Sequence, residues 1–229
     1  MTATCEYTYM VETHCHTSET SRCGMLSGAE MAEFYHGIGY SAIVITDHFF
    51  NGNTTVPHDK EWAERVALFC RGYENAAAAG VKLGIDVFFA WEYTYRGSDF
   101  LTYGLDAGWL YAHPEVMNWS LNEYLDAVRA EGAAVVHAHP FREAAYIPMI
   151  HLNPSRVDAV ETCNVSVSDE VNARAEWYAE SYGLKKFHGS DNHHGAKPTL
   201  AGILTSEKIQ NEKHLAALLK NGSYTNFKR

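Results

Sequence analysis

Cysteine is scarce in this sequence, and no two cysteines have the spacing of a metal or redox motif. The chain has 229 residues and five cysteines, an odd number without a C-x-x-C pair. This argues against a disulfide framework or a cysteine-rich zinc site. No apolar run could span a bilayer, and the first residues do not resemble a signal peptide. We therefore expect a cytoplasmic protein with reduced thiols and no membrane partner. The cysteines are Cys5, Cys15, Cys23, Cys70 and Cys163.

Positive charge is also in short supply. The chain has 18 Lys and Arg against 28 Asp and Glu, a formal net charge of -10. Binding to a long nucleic acid needs many phosphate-facing Lys and Arg, so this balance argues against such a partner. No G-x-G-x-x-G or Walker sequence supports a nucleotide-binding sheet. A small anionic substrate held by metal ions remains compatible, and 13 histidines offer metal-ligating side chains.

The order of predicted elements indicates one α/β domain over residues 1–229, since no linker or low-complexity segment interrupts it. Short β-rich runs alternate with amphipathic stretches, which is typical of parallel strands joined by helical crossovers. Seven or eight such units in this length predict a compact β/α barrel. An open, doubly wound sheet is the alternative. The predicted strands are 7–13, 42–46, 85–91, 100–105, 133–137, 157–161, 185–188 and 201–205.

Capping boxes and glycines predict the helix boundaries. Ser27 with Glu30, and Ser120 with Glu123, place a Ser three residues before a Glu, which is typical of a helix start. Glycine favours the left-handed conformation that often follows a helix. On this basis, a helix over 61–79 should end at Gly80, and later helices should end at Gly132, Gly183 and Gly222.

Ionisable side chains cluster at the ends of six predicted strands. Strand ends carry the chemistry in β/α barrels. Side chains two residues apart in an extended segment share a side, so His14 and His16 can aim at one point. Buried charges at one end of a barrel would be uncompensated unless they shared a cation. The residues concerned are His14, His16, Asp47, His48, Glu92, His137, His139, Glu161, Asp191 and His193.

This mixture of imidazole and carboxylate predicts two or three divalent metal ions, which could be zinc, manganese or iron. One tetrahedral ion cannot use so many ligands, whereas a carboxylate-bridged cluster can, and such clusters serve phosphate-ester hydrolysis. The other histidines are interpreted as surface or packing residues. They are His36, His58, His113, His151 and His214, with His188 inside a strand.

Five short segments occur in the order that is typical of the polymerase and histidinol phosphatase (PHP) family. They are THCHTSE, ITDH, WE, AHPFR and GSDNH, and the resemblance spans about residues 5–205. The set of H-x-H, T-D-H, H-P and S-D-x-H in this order is more specific than any of its parts. The resemblance implies a distorted (β/α)7 barrel, a site of two or three metal ions, and hydrolysis of a phosphate ester.

The same resemblance implies which residues hold the ions. The ligands would be His14, His16, Glu92 and Asp191 for a first ion, Glu92 and His139 for a second, and His48 and His193 for a third. Some relatives have a further ligand for the third ion shortly after H-x-H. Here Glu19 is the first candidate and Cys23 the second. Where relatives often supply another His to the second ion, this sequence offers Asp99.

The predicted mechanism uses a water between two ions, which would lose a proton near neutral pH and attack the phosphate. We predict that Asp191 or His193 transfers a proton to the leaving group. The guanidinium of Arg142, which follows a ligand loop, is predicted to bind the phosphate. Lys197 and Arg22 are further candidates for phosphate binding, although Lys197 is interpreted first as a solvated loop charge.

Several residues beside the ligands have predicted supporting roles. Asp47 should orient a ligand histidine through its ring N–H, and His137 should lie behind the ligands. Glu161 and Asn164 either bind ligands or substrate, or cap the segment that follows them, and the sequence does not decide between these roles. Aromatic residues that alternate around Glu92 should pack the barrel wall on the opposite face. They are Trp91, Tyr93 and Tyr95.

These observations predict a metal-dependent phosphoesterase for a small substrate. That substrate would be a phosphomonoester, such as histidinol phosphate or a nucleotide, or a short phosphodiester. An amidohydrolase-like C–N hydrolase is the first alternative, because that class also uses a barrel, an H-x-H pair and a strand-end Asp. It usually needs a bridging Lys at a strand end, and none stands there. A non-catalytic metal-binding module is the second alternative, and the oligomeric state is open.

Overall fold

A computed structural model describes residues 8–229, so Cys5 and the predicted strand start at Tyr7 lie outside the described residues. The strands are β1 (Tyr9–Cys15), β2 (Ala42–Ile45), β3 (Asp86–Tyr95), β4 (Ser98–Tyr103), β5 (Ala134–Ala138), β6 (Ala159–Asn164), β7 (Lys185–Gly189), β8 (Ala201–Thr205) and β9 (Thr225–Lys228). The helices are α1 (Gly28–Gly37), α2 (Trp62–Phe69), α3 (Arg71–Leu83), α4 (Ala107–Ala112), α5 (Leu121–Ala130), α6 (Asp169–Tyr182) and α7 (Glu212–Asn221). A short 3-10 helix, Pro114–Asn118, separates α4 from α5.

The strands form one sheet that curls into a nearly closed barrel. Their order is β7-β6-β5-β4-β3-β2-β1-β8-β9. The segment after β7 returns to the end of β1, where Cys15 and Asn192 form a parallel bridge. There His16 N donates to Asn192 O at 2.9 Å, and Asn192 N donates to His14 O at 3.1 Å. This closure confirms the predicted TIM-like α/β barrel and excludes the open sheet.

Three strands depart from the parallel pairing that the sequence predicted. β4 is antiparallel to both of its neighbours, β8 is antiparallel to β1, and β9, which was not predicted, is antiparallel to β8. Only Arg96 and Gly97 connect β3 to β4, and both have positive φ, 51° and 88°. Two residues of this conformation form a hairpin turn, whereas a parallel crossover needs a dozen or more. The barrel is therefore distorted at this hairpin.

Local sequence sets most helix boundaries. Both capping boxes are present, at Ser27 and Ser120. The predicted helix over 61–79 is instead two helices, and α3 continues past Gly80 to a left-handed Gly84. Gly80 is buried, and a Cβ there would lie 2.7 Å from Ile85 O, so close packing rather than a helix end requires the glycine. Within residues 8–229, none of the helices combines the length and hydrophobicity needed to cross a bilayer.

The wall of the barrel orients Glu92 inward. Trp91 and Tyr93 are buried against the outer helices, where Trp91 Nε1 donates to the Tyr124 hydroxyl at 2.7 Å. The Tyr93 and Tyr124 rings stack at 3.6 Å. Because successive side chains of a strand point to opposite faces, Glu92 must face the interior. Burial of each large aromatic side chain contributes about 2–3 kcal/mol, so this wall holds the carboxylate firmly in place.

Candidate metal centre

Seven of the eight predicted metal ligands meet inside the barrel, at the carboxyl ends of parallel strands. They form groups whose ligand atoms all lie within 4.8 Å of one another, and Asp99 joins one of these groups. Six of the seven are buried, and His193 is partly exposed toward solvent. The seven are His14, His16, His48, Glu92, His139, Asp191 and His193.

The Glu92 carboxylate lies at the centre, with four imidazoles around it. Its Oε1 is 3.0 Å from His139 Nε2 and 3.5 Å from His14 Nε2. Its Oε2 is 2.7 Å from His48 Nδ1 and 3.6 Å from His16 Nε2. Burial raises the pKa of Glu92, but the charge of His48 and the hydrogen bond from His139 outweigh it, so the pKa falls well below its ordinary value. Glu92 is therefore a carboxylate that can bridge ions.

Asp191 faces Glu92 across the same space. Its Oδ1 lies 3.5 Å from His14 Nε2 and 3.3 Å from His16 Nε2. Asp191 and His139 have positive φ, 47° and 25°, which is uncommon for residues with side chains. Such strain persists only where the surroundings enforce it, and it is frequent at functional sites. The loops after β5 and β7 therefore hold these two side chains in positions that an unstrained chain would not favour.

The hydrogen bonds behind the rings show that His14 and His16 direct lone pairs at each other. His14 Nδ1 lies 2.9 Å from Glu161 Oε1, and because a carboxylate only accepts, the proton is on Nδ1. His16 Nδ1 lies 3.2 Å from Ser21 Oγ, whose own hydrogen goes to Asp47 Oδ1 at 2.7 Å. These partners assign an unprotonated Nε2 to each ring, and the two Nε2 atoms are 3.2 Å apart. Facing lone pairs repel unless a cation or proton lies between them, so the residues fit a metal ion.

The pKa shifts are consistent with this arrangement. Burial lowers the pKa of His14, but Asp191 and Glu161 outweigh it and raise the pKa well above its ordinary value. Burial, together with the charges of His48 and His193, lowers the pKa of His16 well below its ordinary value. Without a metal ion, a second proton is therefore favoured at His14, on the Nε2 that faces His16, whereas His16 stays neutral. This proton stands where a cation would bind.

Glu161 and Asn164, whose roles the sequence left open, support the ligands. Besides His14, Glu161 accepts from the backbone N–H of His139 and from Asn164 Nδ2, both at 2.9 Å. Asn164 Nδ2 also lies 3.2 Å from Asp191 Oδ2. Outer hydrogen bonds of this kind fix ring orientation and raise the basicity of the ligands. Glu161 and Asn164 are therefore positioning residues.

Glu19 does not reach the centre, in contrast to the prediction. Its carboxylate accepts from the backbone N–H of Gly28, at the start of α1, at 3.0 Å and from Asn75 Nδ2 at 2.8 Å. Negative charge is stabilised at a helix N-terminus, which explains why the side chain turns there. Cys23, the second candidate, is at the centre instead, with Sγ 3.2 Å from His48 Nε2.

Two other supporting roles differ from their predictions. Within residues 8–229, Asp47 forms no hydrogen bond to a histidine ring and acts through Ser21, which links it to His16. His137 lies on the other face of β5, stacked on Phe100 at 4.6 Å, and its ring nitrogens have no partner among residues 8–229. Burial lowers the pKa of His137 to about 3, so this ring is a neutral packing residue.

Sequence reasoning missed Glu12 and misread Lys197. The buried Glu12 carboxylate accepts from the backbone N–H groups of His14 and Ser190, both at 3.0 Å, and so ties β1 to the Asp191 loop. An acid two residues before His14, on the same face, was the available signal. Lys197 is no solvated charge, because its ammonium donates to the carbonyls of Ser190 and Asp191 at 3.1 and 3.0 Å.

A cavity of about 520 Å³ opens over the centre. Its wall includes Cys23, His48, Asp99, Arg142, Tyr146 and His193. Arg142 Nη2 donates to Asp99 Oδ2 at 3.0 Å, and Arg142 Nε is buried without a partner among residues 8–229. Arg22 is exposed, donates to Thr54 O at 2.7 Å, and is not part of this wall. The cavity thus gives access to the metal-ligating groups beside one guanidinium.

Solved structures share this fold. A two-domain protein from Bacteroides vulgatus, containing a predicted PHP-like metal-dependent phosphoesterase, matches with a TM-score of 0.69 and 16% identity over 95% of this chain and 64% of that one. A proposed metal-dependent phosphoesterase from Bifidobacterium adolescentis matches with a TM-score of 0.55 and 15% identity over 93% and 97%. An amidohydrolase from Chromobacterium violaceum, with bound sulfate and no metal, matches with a TM-score of 0.50 and 16% identity over 80% and 87%.

No family model matches the chain, and no curated protein matches it. This chain spans less than two thirds of the Bacteroides protein. At identities of 15–16%, the structural matches establish a shared fold and nothing finer. The fold is one that this chain shares with predicted PHP-like metal-dependent phosphoesterases and with an amidohydrolase.

Proposed function

We propose that this protein is a metal-dependent phosphoesterase that acts on a small phosphorylated substrate. The observation that carries the proposal is the position of Glu92, a buried carboxylate with four imidazoles around it. The unprotonated nitrogens of His14 and His16, which face each other at 3.2 Å, add to it. A structural role would not require so many buried ionisable groups to converge, because each costs free energy to bury unless it is compensated.

We propose the ion positions from the resemblance, and the groups of ligand atoms support them. A first ion would be held by His14, His16 and Glu92 together with Asp191, which lies near both rings. A second would be held by Glu92, His139 and Asp99, and a third by His48 and His193, whose group also includes His16. Imidazole and carboxylate ligands suit zinc, manganese or iron. When bound, such ions activate water and neutralise charge on a phosphoryl group.

The chain's own residues would bind the phosphate and transfer the proton. The Arg142 guanidinium at the cavity wall can donate to phosphate oxygens as a fork while Asp99 holds its other side. His193 Nδ1 lies 2.9 Å from the Asp191 backbone carbonyl, so its Nε2 carries the lone pair. The His193 side chain is 17% exposed and that of Asp191 is 6% exposed. That lone pair can hold the third ion. When the third position is empty, Nε2 can carry a proton instead, and His193 is then the better placed of the two to pass it to the leaving oxygen.

The cavity favours a small substrate. A volume of about 520 Å³ is within the range of small-molecule sites. A net charge of -10 disfavours a long nucleic acid. A phosphomonoester such as histidinol phosphate or a nucleotide fits these limits, as does a short phosphodiester.

An amidohydrolase-like C–N hydrolase is the second candidate, because the Chromobacterium violaceum amidohydrolase shares the fold. Against it, the residues that line the cavity among residues 8–229 include no lysine, and Lys197 is bound to backbone carbonyls. The bridging lysine typical of that class has no counterpart in this lining.

The test measures the hydrolysis of three substrates by protein whose metal content is known from elemental analysis. The substrates are p-nitrophenyl phosphate, bis(p-nitrophenyl) phosphate and an N-acyl amino acid. Ester hydrolysis that disappears on chelation and returns with manganese or zinc supports the proposal. Hydrolysis of the N-acyl amino acid alone would favour the second candidate. No turnover of any substrate by fully metallated protein would leave a non-catalytic metal-binding module.

A further inference from the structure

The thiol of Cys23 lies beside the group of ligand atoms formed by His16, His48 and His193, which contains no carboxylate of its own. Its Sγ lies 3.2 Å from His48 Nε2, and Cys23, His48 and His193 all line the same cavity. The His48 and His193 rings both stack on His16, with centroid distances of 4.4 and 4.6 Å, and one ligand atom from each of these three rings lies within 4.8 Å of the others. The thiol therefore contacts one member of a group of three imidazoles beside the cavity.

A second observation, at the other nitrogen of the His48 ring, also points to a cation in this part of the centre. Glu92 Oε2 is buried, is directed at the rings of His48 and His16, and has no hydrogen-bond partner among residues 8–229. It lies only 2.7 Å from His48 Nδ1, yet these atoms are out of line for a hydrogen bond. Buried polar atoms are nearly always satisfied, so an unpartnered carboxylate oxygen beside converging donors indicates a missing positive charge.

The spacing of the donors fits a shared ion. With Zn–N of about 2.0 Å and Zn–S of about 2.3 Å, two donors on one tetrahedral zinc lie roughly 3.5 Å apart. The 3.2 Å between Cys23 Sγ and His48 Nε2 is close to this separation. Glu19 cannot serve here, because it is bound to the start of α1.

We infer that Cys23 is a thiolate ligand, with His48 and His193, of the third metal ion, and that this position selects a thiophilic ion. The inference rests on the proposed metal cluster and adds the chemistry of one corner to it. Thiolate and imidazole favour zinc, cobalt or iron over manganese and magnesium, whereas the positions with more carboxylate ligands accept harder ions. The ion positions of the cluster thus differ in the kind of metal that they prefer.

Cobalt(II) loading tests this inference without an activity measurement. A cobalt–thiolate bond gives a charge-transfer band in the near ultraviolet, which nitrogen and oxygen ligands do not give. We expect the band in the native protein and its loss in Cys23→Ser, with one fewer bound cobalt per chain. Cys23→His should keep the cobalt count of the native protein without the band, which covers the case of a poorly folded Ser variant.

The matched control is Cys70→Ser. Cys70 is a buried thiol at the end of α2, among hydrophobic side chains, and its removal should leave the band intact. Alkylation gives an independent readout: iodoacetamide should modify Cys23 in chelated protein, and zinc should protect it.

Failure of the inference is distinguishable from failure of the proposed function. Cobalt-loaded protein that binds metal but shows no band, or Cys23 that is alkylated equally with and without zinc, would overturn the inference and leave the phosphoesterase proposal standing. Protein that binds no cobalt or zinc at all would overturn both.

Discussion

Glu161 Oε1 lies 2.9 Å from His14 Nδ1, so a carboxylate at the end of β6 sets the tautomer of a ring at the end of β1. The other Glu161 oxygen accepts from His139 N and Asn164 Nδ2. This single side chain therefore orients two of the candidate ligands. These hydrogen bonds offset the free-energy cost of burying the Glu161 carboxylate, and they leave the metal-facing nitrogens of the two ligand rings free.

Glu161→Gln tests the role of Glu161 in orienting these two ligands. An amide can accept from His14 through its oxygen, but its NH2 group would then face the donors His139 N and Asn164 Nδ2. We expect zinc affinity to fall by about 10–100-fold, as is usual for residues that orient ligands. Competition with a chelator measures this, and circular dichroism should show an intact fold. Unchanged affinity would contradict the positioning role.

Glycine at position 189 makes this arrangement possible. A Cβ there would lie 2.5 Å from Glu161 Oε1 and 2.8 Å from the Cβ of His14. We expect Gly189→Ala to lower the free energy of unfolding by about 1–3 kcal/mol, as overpacking does, and to weaken metal binding. The matched control is Gly37→Ala, where a Cβ meets nothing within 4 Å. Denaturant titration compares the two, and equal stability would show that the backbone can move to accept the methyl group.

Glu92→Ala tests the bridging carboxylate. The substitution removes the group nearest to His48 and His139, so metal content and ester hydrolysis should both fall, and by more than the ~10–100-fold typical of outer residues. His36→Ala is the control, because His36 is exposed in the last turn of α1. Elemental analysis and a phosphatase assay provide the measurements. Similar behaviour of the two variants would mean that Glu92 holds no ion.

The sequence predicted those metal-ligating residues whose positions depend on the local strand pattern. His14 and His16 follow from alternation along one strand, and strand-end positions place His48 and His139 at the same edge of the barrel. Glu19 and Cys23 stand four residues apart in one loop, and either could have been the further ligand. The loop path decided between them, because the start of α1 and Asn75 compete for Glu19. That competition involves residues distant in sequence.

The errors in the fold have a similar origin. The Arg96-Gly97 turn makes β4 antiparallel to β3. The amino-acid composition of β4 alone does not distinguish it from a parallel strand of the barrel. Gly80 and Gly84 stand four residues apart, and from sequence either could end α3. Only the close packing of Gly80 against Ile85 shows that Gly84 is the helix end. Sequence therefore predicted the architecture and the strand-end chemistry, while contacts across the fold set the exceptions.

Arg142→Lys tests phosphate binding. Lysine can keep the charge next to Asp99, so the buried carboxylate stays paired, but the two-pronged geometry is lost. We expect kcat/KM for phosphate esters to fall about tenfold, which corresponds to ~1.4 kcal/mol of transition-state stabilisation. Arg22→Lys, outside the cavity wall, should have no effect. If both variants matched the native enzyme, the phosphate would bind elsewhere.

Lys197 provides the last prediction, because its ammonium holds the loop that carries Asp191. It donates to the carbonyls of Ser190 and Asp191 and contacts the Ser166 hydroxyl, while Asp191 keeps a positive φ of 47°. Lys197→Met removes these donors and leaves the carbonyls without them. We expect a loss of about 1–3 kcal/mol in the free energy of unfolding and weaker binding of the ion that Asp191 holds.

The control for Lys197 is Lys185→Met, an exposed lysine on β7, for which a change within about 0.5 kcal/mol is expected. Denaturant titration and chelator competition on both variants separate a stabilising role from a solvated charge. If Lys197→Met and Lys185→Met gave the same stability and the same metal affinity, the ammonium would have no part in holding Asp191. The strained conformation of Asp191 would then depend on Ser166 and Asn164, which also contact this residue.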